Sequence, residues 1–353
     1  MKKRIISMLL AGTLPVLCVT GCTSQGVISA SGKAKDSGTY SLVFTGQDSE
    51  GLPSTEAMHW IADEVNKRTD GAVEINVYPS NQYGSADLQY QGIMDGSIDM
   101  LLGYLDPTYD KVFDLTTIPF LASNYDEISY ICSDKSNIYH LFAEHCEETD
   151  MHFMGFYLNG VNGIFSTKDL GDYLDPDAKK GTLIRIANSE TYRVGMEALG
   201  YSTITIPYTD TYTSLQTGVM DGMTGIPSYM VYQNFADVTK YFVATNMYME
   251  ANVILMSPLT VDKLPKEYVD IIQQVCSEAS AQSLVTTEKN VDDGIEKLEK
   301  SDIEVLPITD EQRNKLADKI RSKVEKQLAD YFGQDLIDLA YEDIDNAAKA
   351  ADE

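Results

Sequence analysis

The residues able to carry chemistry are few, and their spacing is uninformative. His140, His145 and His152 lie near Cys146, but their intervals follow no zinc or iron ligand pattern. Core or solvated histidines are the plainer reading, and no metal is expected. There is no HExxH, GxSxG, GxxxxGK[ST] or GxGxxG stretch, and no metal-spaced set of cysteines. With 54 acids in 353 residues, naming two of them a general acid and base would be arbitrary. The balance moves from enzyme towards binding protein, with no cofactor. Cys132, Cys146 and Cys276 are an odd set without CxxC. Cys132 and Cys146 can be read as a disulfide in an oxidising compartment or as buried free thiols.

One cysteine has a context of its own. Lys2, Lys3 and Arg4 precede an apolar run from Ile5 to Val19, which is followed by Val19-Thr-Gly-Cys22 and a polar, Ser- and Gly-bearing stretch. This is an export signal too short for a bilayer span of about 20 residues. It resembles a bacterial lipobox, with Val in place of the usual Leu, which would make Cys22 a diacylated N-terminus after removal of 1–21. An ordinary secretory peptide is the alternative. Residues 22–38 then read as a tether, and the globular part lies outside the cytoplasmic membrane, anchored to its outer face.

Composition fits that reading. The chain is 43% hydrophobic and 23% charged, as soluble globular domains are. Lys and Arg number 27 against 54 acids, a net charge of −27. Such a surface repels nucleic acid and anionic lipid. At 353 residues the chain exceeds one compact core, so two lobes are expected.

The elements that would position a site read as α/β. Tyr40–Phe44, Val73–Tyr78 and Ile98–Gly103 have strand patterns, and helices over Ser54–Arg68 and Asp87–Met94 separate them. The order recurs downstream: strand Leu183–Ala187, helix Ser189–Leu199, strand Ser202–Ile206, helix Thr209–Thr217, then a short strand from Val219 and Met220. Gly96-Ser-Ile-Asp99 and Gly218-Val-Met-Asp221 stand at equivalent points of the two sets. A long helix spans Lys266–Lys300, with Gly294 as a break, and Thr309-Asp-Glu-Gln312 is a capping box. The Gly155–Gly163 segment reads as a hinge. Two lobes result, with mainly parallel sheets, flanking helices and a long linking helix: 39–159 with part of 251–290, and 160–250 with part of 291–353.

An ordered set of segments resembles the solute receptors of TRAP (tripartite ATP-independent periplasmic) transporters. They are Arg68-Thr-Asp-Gly71, Asn81-Gln-Tyr-Gly84, Gly96-Ser-Ile-Asp99, Ile118-Pro-Phe-Leu121, Leu183-Ile-Arg-Ile186 and Ile206-Pro-Tyr-Thr-Asp-Thr-Tyr212. The strongest is Leu215-Gln-Thr-Gly-Val-Met-Asp-Gly222, with Phe235, Val238 and Lys240 beyond it. The resemblance implies a two-lobed periplasmic-binding-protein-like fold that closes on a small organic anion. It would act as a monomer and deliver its ligand to TRAP permease subunits.

The resemblance also implies site residues. Arg185 matches the Arg that forks onto the ligand carboxylate, a fit of planar donors to a planar acceptor. Its strand is otherwise apolar, so a buried ion pair is the alternative. Asn188 and Ser189 open a helix whose free N–H groups favour an anion. Gln47, Tyr104 and Tyr208 match polar or aromatic ligand contacts, or, for the tyrosines, packing between lobes. Asn162 stands where many members carry a second Arg, and Gly225 where many carry Asn. Both departures suggest a ligand other than the usual sugar acid or dicarboxylate, or one held with fewer charges. A sensory receptor for a membrane kinase, an exported hydrolase and a receptor for an ATP-driven importer are the competing functions.

Overall fold

The computed structural model describes residues 38–351. The export signal, Cys22 and all but the last residue of the expected tether lie outside the described residues. The strands are β1 Tyr40–Gly46, β2 Val73–Tyr78, β3 Met100–Gly103, β4 His152–Val161, β5 Ile164–Ser166, β6 Leu183–Ile186, β7 Ser202–Thr205, β8 Gly222–Thr224, β9 Tyr241–Val243, β10 Met249–Met256 and β11 Glu304–Leu306. The helices are α1 Pro53–Arg68, α2 Ala86–Asp95, α3 Tyr125–Ile131, α4 Asn137–Glu148, α5 Glu190–Ala198, α6 Thr211–Thr217, α7 Ser228–Phe235, α8 Pro258–Lys263, α9 Lys266–Glu299, α10 Asp310–Phe332 and α11 Gln334–Ala351. Short 3-10 turns cover Lys111–Thr117 and Tyr208–Asp210.

Two sheets result, ordered β2-β1-β3-β10-β4 and β11-β9-β5-β8-β6-β7. Among the described residues five of the nine strand pairings are parallel and four antiparallel, so each sheet is mixed, with a parallel majority overall. The antiparallel pairings belong to β4, β5 and β10, which carry the chain between the sheets. The expected equivalence of Asp99 and Asp221 is present in detail. Each exchanges backbone and side-chain bonds with a neighbouring strand: Asp99 with Val43, and Asp221 with Leu183. The strand expected at Val219 begins only at Gly222, because Val219 N is still bonded to Ser214 O of the preceding helix end.

Helix α9, of 34 residues and so about 50 Å, packs on β4, α1, α7 and β11 and joins the two halves. Gly294 does not break it. Instead it lets the start of α7 approach, since a Cβ there would stand 2.4 Å from Tyr229 N. The Gly155–Gly163 segment, expected as a hinge, runs through β4 into the link to β5. Gly160 has φ +144°, pairs with Glu250 where the β4–β10 register shifts, and abuts Val291 of α9. The capping box at Thr309 is present. Helix α11 returns to pack on α3 and α4. Cys132, Cys146 and Cys276 are buried free thiols, so the disulfide alternative is not realised. Among the described residues no helix is long and apolar enough to cross a membrane.

This topology dictates where a site can form. β1 and β3 run parallel, and β10 runs against β3, so the start of β10 meets their carboxyl ends. In the second sheet β6, β7 and β8 are parallel. A cleft at the carboxyl ends of parallel strands is where α/β sheets bind ligands.

Candidate functional site

A cavity of about 670 Å³ lies at that place, walled by both sheets. Gln47 and Asp48 follow β1, Tyr104 follows β3, and Glu250 and Asn252 lie on β10. From the other side come Arg185 on β6, Tyr192 on α5, Ile206 and Tyr208 after β7, and Gly225 after β8. Of the residues expected from sequence, Arg185, Gln47, Tyr104, Asn188, Tyr208 and Gly225 line this space.

Arg185 is 6% exposed and donates from Nε to Ile206 O at 2.7 Å. That bond orients the guanidinium. Its two terminal nitrogens make no hydrogen bond to the described residues, and none of the carboxylate oxygens of those residues lies within salt-bridge distance. The ion-pair alternative for Arg185 is therefore not realised. Burial lowers the guanidinium pKa, and Tyr208, Tyr192 and Glu250 oppose the shift. An arginine keeps its charge even so.

Gln47 Nε2 and the Tyr104 hydroxyl are buried without a hydrogen-bond partner among the described residues. Both are donors left free beside the cavity. The Tyr208 hydroxyl accepts from Asn234 Nδ2 at 3.3 Å, and its ring packs edge-on against Phe235. Gly225 leaves open the space in front of the Tyr192 hydroxyl, 3.6 Å from where a Cβ would stand.

Two expectations need correction. Asn162 does not line the cavity; it lies fully buried behind the wall. Its Nδ2 donates to the Tyr192 hydroxyl at 2.9 Å and to Glu250 Oε2 at 3.1 Å, so it holds wall residues in place. The start of α5 is not free for an anion either. Glu190 N and Thr191 N donate to Asp114 Oδ2, and the Ser189 side chain caps Tyr192 N. The anion that this helix end favours is supplied by the protein itself. Asn188 stands at the mouth with its amide committed to Thr108 and Asp106.

The acids of the wall were not foreseen. Glu250 is 8% exposed, and its carboxyl accepts from Asn162 and the Tyr192 hydroxyl. Burial pushes its pKa up to about 8; Asp48 adds to the rise, while Asn162, Tyr192 and Arg185 oppose it. Asp48 is 9% exposed, accepts from Ser54 Oγ at 2.6 Å and Asn159 Nδ2 at 3.2 Å, and is also raised by burial. The signal for Glu250 was available: a lone acid in the apolar run from Met247 to Met256, the same pattern that singled out Arg185.

The histidines are not gathered. His145 bonds Asp110, with Glu148 near enough that the three ligand atoms lie within 4.8 Å. His152 bonds Glu147, and His140 packs beside Tyr139. Asp110 also caps the turn at Val112, which gives the pair a structural task.

The sequence model of DctP, bacterial extracellular solute-binding protein, family 7, matches residues 44–330. The chain belongs to this family. Family members are solute-binding proteins, and the two-lobed architecture recurs in solved structures. A TRAP periplasmic solute binding protein from Desulfovibrio salexigens, with bound orotic acid, superposes with a TM-score of 0.79 at 23% identity, covering 88% of this chain and 100% of that one. The sugar acid binding protein of Advenella mimigardefordensis, in complex with galactonate, gives a TM-score of 0.80 at 18% identity, covering 88% of this chain and 99% of that one. Among curated relatives, the C4-dicarboxylate-binding periplasmic protein DctP of Rhodobacter capsulatus is 23% identical over 219 residues, 61% of this chain and 64% of that protein. The chain aligns with about two thirds of the length of several such relatives.

Proposed function

We propose that this family 7 protein is an extracytoplasmic receptor that captures a small carboxylate between its lobes and delivers it to the membrane subunits of a TRAP permease. The observation that carries the reading is Arg185. It is a buried cation, fixed by one bond to Ile206, with both terminal nitrogens unengaged at the cavity wall. A ligand carboxylate would accept from both in a bidentate pair. Gln47 Nε2 and the Tyr104 hydroxyl supply further donors. The relatives point the same way, binding orotate, galactonate or C4-dicarboxylates by their descriptions.

The working unit in this reading is a monomer. One lobe comprises 39–159 with part of 251–290, the other 160–250 with part of 291–353. Cys22 carries the lipid that holds the receptor at the outer face of the membrane, and 22–38 is the tether. The chain performs no chemistry on its ligand, and the permease couples uptake to an ion gradient.

The test is calorimetry of the chain lacking residues 1–21 against a panel of carboxylates that includes orotate, galactonate and succinate. The ligand should be recovered chemically unchanged after incubation. Binding that is indifferent to removal of the carboxylate, or turnover of the ligand, would overturn the reading.

A further inference from the structure

The wall around Arg185 is richer in acceptors than a simple anion needs. Among the described residues that line the cavity, Arg185 is the one cation. Opposing it are Asp48 and Glu250, both more than nine-tenths buried. In each carboxyl one oxygen is held by the wall: Asp48 Oδ2 by Ser54 and Asn159, Glu250 Oε2 by Asn162 and Tyr192. The other oxygens, Asp48 Oδ1 and Glu250 Oε1, have no hydrogen-bond donor among the described residues. Asn252, two positions along β10 and 3% exposed, adds a buried carbonyl oxygen Oδ1, also without a partner.

Once Glu250 is ionised, these are three acceptors without donors in a cavity that closes over its ligand, and they are costly unless the ligand brings donors. A plain carboxylate would take up the charge of Arg185 and leave all three unanswered. A dicarboxylate would add like charge to like. A primary ammonium carries three N–H donors, the number required, and its charge offsets the acids while the carboxylate offsets Arg185.

We propose that the ligand is an amino acid or closely related zwitterion, with its carboxylate on Arg185 and its ammonium on Asp48, Glu250 and Asn252. This deepens the carboxylate-receptor reading and rests on it. Proton movement supplies a separate sign of it. With burial and Asp48 holding the Glu250 pKa up to about 8, the empty site keeps a proton at neutral pH. An ammonium favours the ionised carboxyl, so binding releases that proton; a further carboxylate would favour its retention.

The experiment uses matched sets that differ in one group: L-phenylalanine with 3-phenyllactate and phenethylamine, L-leucine with 2-hydroxyisocaproate and isoamylamine, and L-aspartate with malate and succinate. Each is titrated into the tether-bearing chain in two buffers of different ionisation enthalpy at pH 7. The expected result is an amino acid that binds at least 10-fold tighter than its hydroxy counterpart and releases protons. Glu250→Gln should then lose at least 10-fold more affinity for the amino acid than for the hydroxy acid, while its melting curve stays cooperative. A hydroxy acid or succinate that binds as tightly as its amino partner, without proton release, overturns this proposal and leaves the carboxylate receptor standing. An amine that binds as tightly as its amino acid overturns both. Should the sets be silent, the protein is equilibrated with a bacterial metabolite extract, desalted and denatured. A retained compound bearing both carboxylate and basic nitrogen supports the zwitterion, a retained acid without nitrogen base overturns it, and retention of neither counts against both readings.

Discussion

Asn188 Nδ2 donates to Thr108 Oγ1 at 2.7 Å across the mouth of the cavity, joining the end of β6 to the loop after β3. The bond is exposed and neutral, so its contribution is small, about 0.5–1.5 kcal/mol. A receptor that opens at this mouth to release its ligand must break it. Asn188→Ala is therefore expected to speed ligand release about 3- to 10-fold, with little change in association rate. Stopped-flow displacement of a confirmed ligand measures this. An unchanged release rate would show that the mouth opens without breaking this contact.

Arg185→Lys keeps a charge and loses the fork. Lysine can reach Ile206 O or the ligand, but it cannot present two parallel donors to a carboxylate. Affinity should fall by about 2–5 kcal/mol. The fold should persist, because the cation makes no ion pair with the described residues. Calorimetry beside a melting curve separates the outcomes. Near-normal affinity in a folded variant would remove Arg185 from the site, and a lower melting point alone would make it structural.

Much of this was legible in the sequence, for local reasons. Strand alternation placed β1 and β2, and the Ser189 cap and the Thr309 capping box placed helix starts, because those signals act within a few residues. The equivalence of Gly96–Asp99 and Gly218–Asp221 was visible as spacing, but the bonds that both aspartates make to a neighbouring strand were not. What escaped depends on long-range pairing. Nothing local says that β10 inserts between β3 and β4, yet that insertion brings Glu250 and Asn252 to the cavity. Asn162 was misplaced because a positional match cannot tell a ligand contact from the residue one layer behind it. Gly294 was misread because helix propensity ignores what packs against a glycine.

Gly294→Ala sets two effects against each other. On an exposed helix the change would stabilise by about 1 kcal/mol. Here the new Cβ would meet Tyr229 N at 2.4 Å and Ser228 Oγ at 2.5 Å, and Ser228 also bonds Val291 O of the same helix. Backbone cannot yield as a flexible side chain does, so overpacking of about 1–3 kcal/mol should prevail. Urea denaturation followed by circular dichroism is expected to show net destabilisation. A gain in stability would mean that α7 shifts freely along α9.

The pH dependence of the unliganded protein should carry the signature of Glu250. Its carboxyl titrates near 8 in the folded protein, where burial is the largest cause, and near 4.3 in an unfolded chain. Between those values the native state holds a proton that the unfolded state has released. Stability from this group is thus complete below about pH 4 and is lost as pH rises towards 8, by at most about 1.4 kcal/mol per pH unit. The groups around it are Asp48 beyond β1, Arg185 on β6, Asn162 beyond β4 and the phenols of Tyr192, Tyr104, Tyr208 and Tyr229. Burial keeps those phenols neutral across the range, so they add no slope. Asp48, Asp99, Asp114 and Asp343 are raised by burial too and tilt the wild-type curve the same way, which makes the comparison with Glu250→Gln necessary. The variant keeps the shape and cannot ionise. Melting temperatures at pH 5, 6, 7 and 8 should show the wild type losing ground to Glu250→Gln as pH rises. A constant difference between the two across that range would mean that Glu250 is ionised throughout, and that the acceptor wall already carries its full negative charge before any ligand arrives.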